Sequence, residues 1–190
     1  MITGTKEQEA IWNEIANGTS HIIVDAGAGV GKTFTIVEGA NRDNGQKKAF
    51  LCFNKSIQKE LAERLPDDVE AKTFHALGFA ALRSAGIRTK VNNFKLRNII
   101  DDMLGRDFYA QPLTKLISLI KGSMVDGDDK KSIYRLIDEY NIEFKSDREE
   151  LIAIDSIPAI LNQCKRNTAM IDFDDMIWLP LVLDMPLPVF

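Results

Sequence analysis

A glycine-rich octapeptide near the N-terminus is the part of this sequence with the clearest chemistry. Its eight residues are Ala26, Gly27, Ala28, Gly29, Val30, Gly31, Lys32 and Thr33. Three glycines allow the backbone to turn its N–H groups inward, where they can bind anionic oxygens. A lysine at the seventh position reaches β- and γ-phosphates, and a hydroxyl at the eighth position binds Mg²⁺. The octapeptide therefore predicts a nucleoside triphosphate site, with Lys32 and Thr33 as catalytic residues and Thr33 as the magnesium ligand.

The segments on both sides of the loop have the patterns that such a site needs. The β-branched run over residues 21–25 predicts a buried strand, and residues 34–38 predict a helix. This order places the phosphates at a helix N-terminus, where the helix dipole favours negative charge. Phe34 follows the loop directly and completes the predicted nucleotide-binding set. Ala26 stands where the strict motif has glycine, so an ordinary glycine-rich turn is the alternative interpretation.

Composition limits the class of protein. A length of 190 residues, with 45% hydrophobic and 27% charged residues, allows one soluble domain with an insertion. The net charge of −4 argues against attachment of the whole surface to nucleic acid or to an anionic membrane, but it permits a local basic groove. No secretory signal and no membrane-spanning run is recognised. The only cysteines, Cys52 and Cys164, lie in apolar patterns, so we expect core residues in a cytoplasmic or other intracellular protein.

Periodicity along the chain predicts an α/β fold interrupted by a purely helical segment. A helix with a capping box begins at Thr5, and strands over residues 49–53 and 69–73 are each followed by a helix. Helices alone are predicted over residues 94–104, 113–120, 132–140 and 146–166. Pro158 is expected to break or kink the last of these helices.

These patterns divide the chain into three segments. Residues 1–86 and 169–190 are predicted to belong to an α/β domain, and residues 87–168 to form an inserted helical subdomain. The apolar end of the chain, residues 185–190, predicts the beginning of a further strand.

Gln8 precedes the glycine-rich loop at the start of the first predicted helix. A side-chain amide can pair with the N6 and N7 edge of adenine. It can also complete a capping box with Thr5. The local sequence leaves both interpretations open.

Polar and aromatic residues follow the two later strands. These candidates are Phe53, Asn54 and Lys55 after the first strand, and Thr73, Phe74 and His75 after the second. Ligands of an open parallel sheet bind beyond the carboxyl ends of its strands. Asn54 and Lys55 can contact phosphates, and Phe74 can stack on a base. Ordinary helix caps and a core phenylalanine are the alternatives.

Three acidic residues near the C-terminus allow two interpretations. Asp172, Asp174 and Asp175 suggest either a metal site or a helix cap. We expect the cap, because no histidine or fourth ligand lies close in sequence and the spacing fits no calcium loop.

Taken together, these segments resemble superfamily 1 DNA helicases of the UvrD/Rep type. The resemblance rests on the glutamine motif, motif I, motif Ia and motif Ib, which correspond to residues 5–8, 26–33, 51–56 and 72–77. In that family the phosphate-binding loop routinely opens with alanine, as it does here. Phe-Asn-Lys-Ser followed by Thr-Phe-His is most similar to the F-box DNA helicase branch and related phage enzymes. Residues 172–176 resemble the segment just before motif II.

The resemblance implies a RecA-like P-loop domain with a parallel sheet, ATP and Mg²⁺ as cofactors, and movement on single-stranded DNA from 3′ to 5′. It also implies that Gln8 selects adenine and that the candidates in motifs Ia and Ib line the DNA track.

Parts of the family pattern are not recognised here. We expect no Asp-Glu-x-x motif II anywhere in the sequence, no sensor glutamine, and no second RecA-like domain with its arginine fingers. The family sheet places two strands between the P-loop strand and the motif Ia strand, and both would follow Phe190. We therefore expect an incomplete domain, the N-terminal piece of a longer helicase, which requires the C-terminal domains for turnover. A nucleotide- or DNA-binding module without turnover, or an unrelated P-loop kinase, is the alternative.

Overall fold

A computed structural model describes residues 3–19, 21–42 and 48–187 of the chain. These residues form a mixed helix–strand fold with small parallel sheets, organised as two compact units that divide after Phe74. The first unit contains α1 (Lys6–Asn17), α2 (Lys32–Arg42), β1 (Lys48–Cys52), α3 (Lys55–Ala62) and β2 (Val69–Thr73). The second begins after the first residue of α4 (Phe74–Ser84) and contains β3 (Lys90–Val91), α5 (Lys95–Leu104), α6 (Ala110–Ser123), α7 (Lys130–Glu139), α8 (Asp147–Arg166), β4 (Met170–Ile171) and α9 (Phe173–Val182).

Strands β1 and β2 form a parallel pair connected by helix α3. Their register runs from Lys48 opposite Val69 to Cys52 opposite Thr73. Parallel neighbours need a crossover connection, which α3 provides with Leu61 buried. The two strands lie within one residue of their predicted positions, and the predicted parallel pairing is confirmed for this pair.

Helices α1 and α2 pack closely at Trp12, which is buried. The Trp12 indole N–H donates to the Thr35 carbonyl over 2.7 Å. A methyl group at Gly39 would lie 2.6 Å from Cδ1 of Ile15, so the end of the Ile15 side chain would have to shift to make room for it. The Arg42 guanidinium lies 3.8 Å from the centroid of the Trp12 ring, a cation–π contact that also joins the helices.

The strand predicted over residues 21–25 is wrong, since these residues have no regular secondary structure. Ile23 is 95% exposed, and Ile22 and Val24 are also exposed. A β-branched run becomes a strand only where a neighbour supplies ladder hydrogen bonds. Within the described ranges, β1 and β2 pair with each other and neither pairs with this run.

The second unit is built around α6. Its core is apolar and draws side chains from α5 to α9, including Ile100, Leu116, Ile120, Ile133 and Ile157. The predicted helices are confirmed within a few residues at their ends. The expectation of helices alone is wrong at one place, because Lys90–Val91 pairs in parallel with Met170–Ile171. A two-residue strand is too short to leave a period-2 pattern in the sequence.

Helix α8 continues through Pro158, so the helix is not broken there, and a kink at Pro158 stays a prediction. An interior proline costs about 3 kcal/mol of helix stability, since it removes one hydrogen bond and crowds the preceding turn. Burial of Ile154, Ile157 and Ile160 on both sides of the proline offsets that cost.

Two further observations complete the fold. No helix in the described ranges has the length and apolar character needed to cross a bilayer. The strand predicted from residues 185–190 falls partly on residues 188–190, which lie outside the described residues.

Candidate functional site

The glycine-rich loop turns through two left-handed residues and leads directly into α2. Gly29 and Gly31 have φ angles of +77° and +85°, a region that side chains other than glycine rarely adopt. Helix α2 begins at Lys32, so the loop lies at its N-terminus as predicted. This arrangement combines free backbone N–H groups with the positive end of a helix dipole, which favours an anionic ligand.

The Lys32 side chain folds back over the loop. Its Nζ donates to the carbonyl oxygens of Ala26, over 2.9 Å, and of Gly27, over 2.6 Å. An ammonium group has three N–H donors, so one remains for another acceptor. The positive charge is therefore held at the loop, beside the N-terminus of α2.

A cavity of about 470 Å³ opens between α1, the loop and α2. This volume lies within the range of small-molecule sites, roughly 300–1,000 Å³. Five residues predicted from the sequence line the cavity, namely Gln8, Ala26, Gly27, Val30 and Lys32. Its apolar lining from Ile11, Val24 and Ile36 was not predicted. Helical spacing offered a signal for two of these, because Ile11 lies three residues after Gln8 and Ile36 lies four after Lys32.

The other predicted residues of the loop take different positions. Ala28, Gly29 and Gly31 form the turn, and Thr33 is half-buried in the first turn of α2. The Phe34 ring packs edge-to-face on Trp12, with 6.0 Å between the ring centroids. The observed contact of Phe34 is therefore one of helix packing.

Gln8 makes the capping box and also faces the cavity. Its Oε1 accepts from the Thr5 N–H over 2.9 Å, and its own backbone N–H donates to the Thr5 hydroxyl over 3.3 Å. Its Nε2 donates to Oγ1 of Thr35 over 3.1 Å. The capping interpretation is confirmed, and adenine recognition stays a prediction.

The register of β1 and β2 places the first residues of the two segments predicted to contact DNA at the same edge of the sheet. Because Cys52 lies opposite Thr73, Phe53 and Phe74 follow the ends of adjacent parallel strands. Phe53 is 85% exposed and Phe74 is 47% exposed, so the interpretation of Phe74 as a core residue is wrong.

The polar residues after these strands have mixed roles. Asn54 caps α3, since its Oδ1 accepts from the Ile57 N–H over 2.9 Å, and Lys55 is exposed at the start of that helix. In the second unit, the His75 ring meets Phe173 edge-to-face, with 5.5 Å between the centroids. Contact with DNA stays a prediction for all of these residues.

The acidic residues near the C-terminus form a helix cap, as the capping interpretation predicted, and also an ion network that was not predicted. Asp172 and Asp175 make a capping box at the start of α9. The fully buried Asp175 carboxylate bridges Lys95, at 2.6 Å, and Lys121, at 2.8 Å. Burial raises the pKa of Asp172, and the adjacent Lys121 opposes that shift. Across the described residues, no group of His, Cys, Asp and Glu side chains is arranged to hold a metal ion.

The expectation that the sequence has no Asp-Glu-x-x run is wrong, because one such run begins at Asp138 and Glu139. Both residues are exposed in the last turn of α7, and the element directly before α7 is the helix α6. The position of this pair does not match a motif II acid pair, which would follow a strand.

Comparison with known proteins agrees with the geometry of the loop. A family described as an AAA domain matches residues 7–174 of the chain. The chain belongs to this family. AAA domains of this kind occur in UvrD/Rep-like helicases, which confirms the superfamily 1 helicase resemblance. F-box DNA helicase 1 of Gallus gallus is 32% identical over 78 residues, which are 41% of this chain and 8% of that helicase. The chain thus matches a small part of that relative's length.

Proposed function

We propose that this AAA-domain chain is the ATP-binding and single-stranded-DNA-contacting N-terminal portion of an ATP-dependent DNA helicase. The observation that carries the proposal is the cavity between α1 and α2. There Lys32 and Gln8 line the cavity together with apolar side chains from Ile11, Val24 and Ile36. This is the polarity that a nucleoside triphosphate needs, because its phosphates are anionic and its base has apolar faces and a polar edge.

Each group of the proposed nucleotide site has a separate role. Loop N–H groups and Lys32 bind phosphates, and Gln8 contacts the adenine edge. Mg²⁺ usually takes one or two protein oxygens and completes its shell with phosphates and water. The Thr33 hydroxyl, in the first turn of α2, fits that requirement as a protein ligand. When bound, the metal would neutralise charge on the β- and γ-phosphates.

The DNA part of the proposal rests on the edge where β1 and β2 end. Exposed Phe53 and Phe74 offer stacking faces, and the exposed Lys55 offers a charge for phosphates. Thr73 and His75 would add contacts to the backbone of the strand, and movement would run from 3′ to 5′. The division into residues 1–86, 87–168 and 169–190, an intracellular location and a role in DNA repair or replication belong to the same proposal.

Hydrolysis of ATP would require catalytic groups that we do not assign to any residue of this chain. Phosphoryl transfer needs an oriented water and charge stabilisation on the γ-phosphate. The candidate acids near the C-terminus are engaged elsewhere, since Asp172 and Asp175 pair with Lys121 and Asp174 accepts from the Ser118 hydroxyl. This observation favours, as the second candidate, a nucleotide- or DNA-binding module without turnover.

Replacement of Lys32 tests the nucleotide site. Lys32→Ala should weaken ATP binding at least tenfold, because it removes the charge at the loop, and should leave the far-UV circular dichroism unchanged. Lys59→Ala is the matched control, an exposed lysine on α3 outside the cavity. Titration calorimetry with ATP measures the affinities. Equal ATP affinity in Lys32→Ala and the parent would contradict the proposal.

The parent chain, Lys32→Ala and Lys59→Ala also test whether this chain hydrolyses ATP by itself. Phosphate release in the presence of single-stranded DNA should be equal for the parent chain and Lys32→Ala. DNA-stimulated release that disappears in Lys32→Ala would show that the 190 residues are catalytically sufficient.

A further inference from the structure

The Thr35 hydroxyl connects the glycine-rich loop to Gln8. Thr35 is buried in α2, and its Oγ1 makes two hydrogen bonds, with the Gly31 carbonyl over 3.0 Å and with Nε2 of Gln8 over 3.1 Å. A hydroxyl has one proton, and a carbonyl oxygen can only accept. The proton therefore lies toward Gly31, and Oγ1 faces Gln8 purely as an acceptor.

The other end of the Gln8 amide is fixed by an opposite requirement. Its Oε1 accepts from the Thr5 backbone N–H over 2.9 Å, and that N–H can only donate. An acceptor at one end and a donor at the other allow a single orientation of the amide. Rotation of the amide by 180° would oppose oxygen to the oxygen of Thr35 and N–H to the N–H of Thr5.

The fixed amide keeps half of its hydrogen-bonding capacity free. A primary amide has two N–H donors and two oxygen lone pairs, and one of each is used by Thr35 and Thr5. One donor and one acceptor remain for a ligand in the cavity that Gln8 lines. The N6 and N7 edge of adenine offers one donor and one acceptor, whereas the corresponding edge of guanine offers two acceptors, O6 and N7.

We propose that Thr35 is the positioning residue that sets the preference of this site for adenine over guanine, because it fixes the orientation of the Gln8 amide. The inference rests on the proposed nucleotide-binding function and adds to it a residue outside the loop and the glutamine motif. Thr35 is itself held in place, since its carbonyl accepts from the buried Trp12 indole. Hydrogen bonds run in one chain from the Thr5 backbone N–H, through the side chains of Gln8 and Thr35, to the Gly31 carbonyl. This chain connects the proposed adenine-binding amide to the phosphate-binding loop.

Two substitutions at Thr35 separate the hydroxyl from the rest of the side chain. Thr35→Val keeps the shape and the β-branch but removes the acceptor, and Thr35→Ser keeps the hydroxyl. Binding of ATP, GTP and inorganic tripolyphosphate to residues 1–190 is measured by calorimetry for the parent and both variants. We expect the ATP-to-GTP affinity ratio to fall about fivefold in Thr35→Val, in keeping with the loss of one hydrogen bond, and to be retained in Thr35→Ser. Tripolyphosphate binding should be the same in all three proteins.

The outcomes distinguish this inference from the proposed function. An unchanged ATP-to-GTP ratio in Thr35→Val, or an equal fall in Thr35→Ser, would overturn the positioning role while nucleotide binding stands. Parallel losses of ATP and tripolyphosphate binding in Thr35→Val would also overturn it, because they would show a general effect on the loop. A parent chain that binds none of the three ligands would overturn the proposed function, and the inference with it.

Discussion

In the candidate site, the positions of single residues could be predicted from the sequence where the backbone conformation requires a particular type of residue. Gly29 and Gly31 occupy left-handed positions that a glycine-rich loop predicts, and Lys32 lies at the start of a helix as expected. The contact of Gln8 with Thr35 could not be predicted in the same way, since it joins residues 27 positions apart. Local spacing carries no information about such a pair until α1 and α2 are packed together.

Phe74 provides a test of the DNA interface at the residue scale. Phe74→Ala should weaken binding of an oligothymidylate to residues 1–190 by roughly 1–3 kcal/mol, the usual effect of losing one base–aromatic stack. Phe94→Ala is the matched control, because Phe94 is a phenylalanine with 70% exposure outside the predicted DNA segments. Fluorescence anisotropy at low salt gives both affinities. A drop in melting temperature without a change in DNA affinity would assign Phe74 to packing instead.

Whole helices could be predicted from the sequence where apolar residues repeat at helical spacing over several turns. The predicted helices between residues 94 and 166 correspond to α5–α8, because each has an apolar face that a neighbouring helix covers. The strand predicted over residues 21–25 fails for the opposite reason, since a strand depends on hydrogen bonds from a partner. Pro158 shows the same limit, because tertiary packing maintains a helix that local propensity would end.

The packing of α4 against α9 provides a test at the element scale. A methyl group at Gly78 would collide with the backbone carbonyl of Met176, so Gly78→Ala should force the two helices apart. We expect a loss of about 1–3 kcal/mol in the free energy of unfolding, in the usual range for overpacking.

Gly122 provides the matched substitution for that test. It lies near the end of α6, and a methyl group there would meet nothing within 4 Å. Gly122→Ala should therefore stabilise by about 0.5–1 kcal/mol, since alanine loses less backbone entropy in a helix. Urea denaturation measures both variants. Similar effects from the two substitutions would show that α4 and α9 are not in close backbone contact.

At the scale of the whole chain, the second unit contains a charged centre that the sequence did not reveal. Lys95 on α5, Lys121 on α6 and Asp175 on α9 are all buried and joined by ion pairs. Lysines are almost never fully buried unless they are paired, so periodicity alone predicts them on the surface. The pairing spans up to 80 residues of sequence and depends on the assembled helices.

Because the Cys164 thiol beside this centre is buried, the stability of the chain depends on pH in the alkaline range. Burial raises the pKa of Cys164 to about 11 from its ordinary value of 9.0, with Lys121 opposing the shift. Between these two values the unfolded chain loses the proton while the folded chain keeps it. The contribution of the thiol to stability is therefore complete below pH 9 and is lost as the pH rises to 11.

This linkage predicts a steeper loss of stability for the parent than for Cys164→Ala. The free energy of unfolding of the parent should fall by about 1.4 kcal/mol more per pH unit above pH 9, since one pKa unit corresponds to that energy. Urea denaturation at several pH values from about 8 to about 10.5 gives the two slopes. Only the slopes are compared, because the cavity left by the alanine lowers the stability of the variant at every pH. Parallel slopes would mean that the thiol is hydrated in the folded chain and is not part of the sealed core around α6.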